Sequence, residues 1–70
     1  MTNEARMALE TLDRICDDGE PQTRAAWRGA CRMPVEVFDP ARDELIACGA
    51  VEALGTDAWP TFRPAAGVLR

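Results

Sequence analysis

Phe38, Ala41, Leu45 and Cys48 recur at three- and four-residue steps and are followed at once by Gly49 and Val51. Steps of three and four return side chains to one face of a helix, so the four form an apolar stripe. A glycine just past the last periodic residue accepts the left-handed conformation that closes a helix, and Val51 then opens an extended run. The pattern F-x-x-A-R-x-x-L-x-x-x-G-x-V therefore specifies a helix that passes directly into a strand.

Seventy residues, 47% apolar and 29% charged, have room for a single core and are too apolar for a disordered chain. One small soluble domain of modest stability is expected. The apolar runs are only a few residues long and Met1 to Arg14 carries three acidic residues, so neither a membrane span nor a signal or transit peptide is expected. The expected location is cytoplasmic, without membrane association.

The residue types absent from the chain remove most chemistry. It contains no histidine, lysine, tyrosine or serine, and no glycine-rich phosphate loop. A catalytic role, a metal and a cofactor are all unexpected. Cys16, Cys31 and Cys48 are odd in number, widely spaced and without histidine, which excludes the common zinc spacings. Each falls on an expected apolar helix face, so three reduced core thiols are expected, with an intermolecular disulfide as the alternative.

Thr2 or Asn3 can cap a first helix reaching about Asp17, with Ala5, Ala8, Leu9, Leu12, Ile15 and Cys16 as its buried stripe. Glu4, Arg6, Glu10, Asp13 and Arg14 fall on its outer side. Asp17, Asp18 and Gly19 end it, and Glu20, Pro21 and Gln22 form a connector. Thr23 caps a second helix through about Arg32, seamed by Trp27, Ala30 and Cys31 and closed by Met33 and Pro34. The third helix starts either near Val35, with Pro40 in its early turns, or at Pro40 capped by Asp39, which is the better local chemistry. Ala50 to Leu54 and Ala58 to Thr61 form a hairpin around Gly55, Thr56 and Asp57. Pro60 must sit at a strand end or an open edge, because it has no N–H to give. Residues 62–70 form a C-terminal tail that either stays mobile or folds back through Phe62 and Leu69.

This order of helix, Thr-capped helix with a tryptophan, arginine-bearing helix ending in glycine, and hairpin with Trp59 and Pro60 resembles a small winged helix-turn-helix domain. It is similar to those appended to phage and plasmid replicative primase-helicases. The fold class so implied is mainly α with a small β hairpin, three helices plus a two-stranded wing, over residues 1–61. In that family, residues matching Phe38, Ala41, Leu45 and Val51 pack the core, and exposed positions of the third helix and wing approach nucleic acid. Carried over, the exposed positions are Glu36, Asp39, Arg42 and Asp43. Three of these four are acidic and would repel phosphate.

All basic residues are arginine, consistent with a GC-rich genome, and the formal net charge is −4. Arg24, Arg28 and Arg32, four apart, form a ridge on the second helix that suits DNA phosphates or an acidic surface, or else pairs with nearby carboxylates. Arg42, Arg63 and Trp59 extend the candidate contact set. Glu36, Asp39, Asp43 and Glu44 form the opposite patch, either a surface for a basic partner or a solvated helix exterior. Trp27 is expected in the core. Trp59 is expected to pack against the first helix, with exposure as an anchor the alternative.

Two functions follow. The first is a noncatalytic DNA-binding regulator or replication accessory of a phage or mobile element, with duplex DNA as partner. The second is an acidic protein-interaction module, such as a phage-encoded, anti-CRISPR-like inhibitor of a host nucleic-acid machine. Monomer and homodimer both remain open, since helix-turn-helix proteins often use two-fold symmetry.

Overall fold

A computed structural model describes residues 1–16 and 19–65. Asp17, Asp18 and Leu69, used in the sequence reading, lie outside the described residues. Three helices and a small antiparallel sheet follow in the order α1 (Asn3–Ile15), β1 (Gln22–Thr23), α2 (Arg24–Cys31), α3 (Val35–Ala47), β2 (Val51–Gly55) and β3 (Pro60–Pro64). The fold is thus mainly helical with three helices, but the sheet has three strands in the order β1-β3-β2 rather than two.

Both threonine caps form. The Thr2 hydroxyl accepts from the Ala5 N–H and that of Thr23 from the Ala26 N–H, each satisfying a donor in an otherwise unpaired first turn. On α1, Ala5, Ala8, Leu9 and Leu12 are buried, as the periodicity requires. Helix α3 ends as its glycine demands: Gly49 has φ +80°, its N–H reaches Ile46 C=O at 3.1 Å, and Ala50 N–H reaches Leu45 C=O at 2.9 Å. This double closure satisfies carbonyls that the last helical turn would leave open.

The start of α3 is where tertiary packing overrides local chemistry. The helix begins at Val35, so Pro40 lies inside it and the Glu36 carbonyl loses its usual i+4 donor. What the earlier start gains is Phe38, fully buried against the Trp27 ring with centroids 4.9 Å apart in a T-shaped pair. Asp39 is consequently mid-helix and caps nothing.

Trp27 is the centre of the core. It is the one buried residue of α2, its indole N–H donates to the Ala8 carbonyl of α1 at 2.8 Å, and its ring also lies 5.5 Å from Phe62 of β3. One side chain therefore ties α2 to α1, α3 and the sheet.

Phe62 is buried, so residues 62–64, assigned to the tail from sequence, belong to the sheet. The returning strand starts at Pro60 and ends at Pro64, with Ala58 and Trp59 in the turn. Prolines at both ends of a central strand are tolerated for a geometric reason. Ala65 N–H donates to Ala50 C=O at 2.8 Å, which sets the alternation of the β2–β3 ladder. Glu52 with Arg63 and Leu54 with Thr61 are then the hydrogen-bonded pairs, whereas Pro60 and Pro64 stand opposite Gly55 and Val51, where no N–H faces β2. On the other side β1 reaches only Thr61 and Phe62.

Candidate interaction surface

The sequence offers an arginine ridge and an acidic patch, and the fold brings the two together. Arg24 opens α2, where a cation opposes the helix dipole. Its guanidinium forks onto Asp39 of α3, with Nη2 at 2.7 and 3.0 Å from the two carboxylate oxygens, and sits 6.0 Å from the Phe38 ring centroid. Asp39 also receives Arg42 Nη1 at 3.5 Å, and Arg42 Nη2 reaches Asp43 at 3.1 Å. Arg24, Asp39, Arg42 and Asp43 thus form one alternating chain of charges in which each arginine faces a carboxylate.

On the sheet, Arg63 Nε lies 2.8 Å from Glu52, its cross-strand partner on β2. Three of the five arginines expected at the contact surface are therefore engaged. The other two differ. Arg32 is exposed and is the α2 C-cap, with φ 57°. Arg28 is half-buried with its Nε lacking an acceptor. Among the described residues neither makes an ion pair, so the ridge is reduced to its C-terminal half.

The acidic patch divides as well. Glu36 and Asp43 are exposed, while Asp39 is half-buried as the hub of the charge chain. Glu44 leans the other way and accepts the Thr2 N–H at 2.9 Å. A shallow cleft of about 280 Å³ runs there, between the start of α1 and α3, floored by Val37, Pro40 and Ala41 and edged by Glu4, Glu36 and Glu44.

Trp59 does not pack against α1. It is 70% exposed on the β2–β3 turn, where its N–H is held by the Thr56 carbonyl and hydroxyl at 3.1 and 3.0 Å. Val35 and Ile46 on α3 are further exposed apolar residues. The turn fixes the backbone of Trp59 and leaves its ring in solvent.

The thiols form a gradient rather than three core residues. Cys16 is buried, Cys31 half-buried and Cys48 exposed, because Cys48 falls on the capping turn after α3 and not on its stripe. Burial pushes the Cys31 thiol up, opposed by a hydrogen bond with Thr11 and the charge of Arg14. Among the described residues, no three His, Cys, Asp or Glu side chains gather to hold a metal. Nor is any helix among them long and apolar enough to cross a membrane.

Sequence reasoning missed the hub role of Asp39. Its partner Arg24 lies fifteen residues away in another helix, a distance at which no periodicity speaks. The Glu52–Arg63 pair was missed for another reason: the expected turn, Gly55 to Asp57, sets Glu52 opposite Pro60, whereas the observed register pairs Gly55 with Pro60 and so brings Arg63 to Glu52. Comparison with protein-family models, with curated proteins and with solved structures finds no match.

Proposed function

We propose that this chain is a noncatalytic winged-helix module that works by binding a protein with a basic surface. A phage- or mobile-element-encoded inhibitor docking on a host nucleic-acid machine fits its size and acidity. The winged-helix reading is supported by the order of three helices followed by a hairpin, and by the sheet order β1-β3-β2.

The observation that carries the protein-binding reading is the neutralisation of Arg24, Arg42 and Arg63 by Asp39, Asp43 and Glu52. With a net charge of −4, the surface that a winged helix would turn to DNA carries no free basic side chain on α3. It offers instead exposed Glu36 and Asp43, the latter already paired with Arg42, with the aromatic anchor Trp59 on the wing. The second reading is duplex DNA, favoured by Arg28 and Arg32 on α2, which make no ion pair among the described residues.

Fluorescence anisotropy with labelled mixed-sequence duplex separates the two. The wild type should show no salt-sensitive binding at low salt. Asp39→Asn releases Arg24 while Arg42 keeps Asp43, so weak binding should appear in that variant, its salt slope steeper by up to about 0.9 for one added phosphate contact. Wild-type binding that weakens with salt and is abolished by Arg28→Ala with Arg32→Ala would instead establish DNA as the partner. For the protein reading, a partner captured from host lysate must be lost with Trp59→Ala and with Glu36→Gln plus Asp43→Asn.

A further inference from the structure

The cleft of about 280 Å³ between α1 and α3 has carboxylates on both walls, Glu4 on one and Glu36 with Glu44 on the other, above the apolar floor of Val37, Pro40 and Ala41. Its volume falls below the roughly 300–1,000 Å³ of small-molecule sites and suits a single side chain. Past Thr2 and Glu44 it continues into a second depression of about 540 Å³, lined also by Met1 and Cys48, so an extended segment can lie along it. On the far flank of α3, Asp39 and Asp43 are each met by an arginine. Glu4, Glu36 and Glu44 make no ion pair among the described residues, and no basic side chain lines the cleft. Glu4 and Glu36 stand in first helical turns, where a carboxylate offsets the dipole, but Glu44 lies well inside α3 and has no such role. One of its oxygens accepts the Thr2 N–H at 2.9 Å, which leaves the other for a ligand. Pro40 adds an acceptor of a different kind, because the Glu36 carbonyl that it deprives of an i+4 donor belongs to the turn lining the cleft.

Given a basic protein as partner, we propose that this cleft seats an arginine of that partner, carried on an extended segment. Charge on two walls above an apolar floor selects the occupant. The stem of an arginine packs on Val37 and Ala41 while its planar fork reaches carboxylates on both sides; a lysine ammonium is a compact, strongly hydrated charge that addresses fewer acceptors at once. Glu4 and Glu44 are separate from the outer surface of Asp43 and Trp59, so capture of the arginine can be removed while that surface stays intact.

The test is a titration of isotope-labelled protein with hexa-arginine peptide at low salt, followed by amide chemical shifts, with hexa-citrulline as the uncharged isostere. Shifts should centre on Thr2, Glu4, Val37, Ala41 and Glu44 with the arginine peptide and be absent with citrulline. Glu4→Gln with Glu44→Gln keeps the acceptor for the Thr2 N–H and should weaken binding by about fivefold for each carboxylate removed. Glu10→Gln with Asp13→Asn makes the same change of charge at exposed positions of α1 outside the cleft and should weaken it by no more than about twofold. Equal weakening by the two double variants overturns the arginine cleft, as do shifts centred on Asp43 and Trp59, and both results leave a basic partner in place. Hexa-arginine that does not bind also overturns it. Failure of the basic partner itself is read separately, as duplex binding through Arg28 and Arg32.

Discussion

Replacing Trp27 by phenylalanine tests whether the core is organised around a single indole. Trp27 is fully buried and donates its ring N–H to the Ala8 carbonyl at 2.8 Å. The substitution keeps an aromatic ring beside Phe38 and Phe62 but deletes the donor and leaves a small void. The Ala8 carbonyl lies inside α1 and keeps its helical partner, so no acceptor is orphaned. The lost hydrogen bond costs about 1 kcal/mol and the incompletely filled site about as much again. The sum, about 2 kcal/mol, is a large part of the total for a domain this small, roughly 0.05–0.15 kcal/mol per residue. It should lower the melting temperature by on the order of 10 °C. Urea unfolding followed by far-ultraviolet circular dichroism measures it, with the slope of the transition expected to stay constant. A loss below about 0.5 kcal/mol would refute the central role given to the indole. Trp59→Phe is the internal control: its ring is in solvent, so stability should hold while the red-shifted part of the tryptophan emission disappears.

Three further outcomes are expected. Gly55 has φ +85° and a Cβ there would stand 2.5 Å from the Trp59 carbonyl oxygen, so Gly55→Ala should cost about 2 kcal/mol or more and perturb the amide resonances of the β2–β3 turn before those of the helices. The Cys31 thiol is held above its ordinary value of 9.0 by burial. The folded state therefore retains that proton longer than the unfolded state; its stabilisation is intact below pH 9 and lost as pH rises through the folded value. Relative to Cys31→Ala, the wild type should lose urea resistance above pH 9, and maleimide should label Cys48 well before Cys31. Equal labelling rates would contradict the burial gradient.

What was legible in the sequence is what depends on neighbours a turn away. The α1 stripe, the Thr23 cap and the Gly49 closure each involve residues within five positions of one another. Phe38 shows where that reach ends. Local capping favours a helix starting at Pro40, and only the contact with Trp27, eleven residues earlier, shows why it starts at Val35. β1 has two residues and no alternation to detect; it exists because β3 passes beside it. The surface was least legible. Arginines spaced four apart are a ridge only if nothing across the fold answers them, and Asp39 does so for Arg24. Whether Trp59 is anchor or core depends on where the hairpin points, which no periodicity encodes.

The pairing of β1 with β3 joins Gln22 to Phe62 across the whole of α2, α3 and β2. Helical contacts close short loops and form early, but this ladder must wait until the chain has come full circle. The last wall of the Trp27 site, Phe62, arrives with it. A nascent or truncated chain ending before Phe62 would thus lack one wall of the Trp27 site, and cooperative folding would await the arrival of its closing strand.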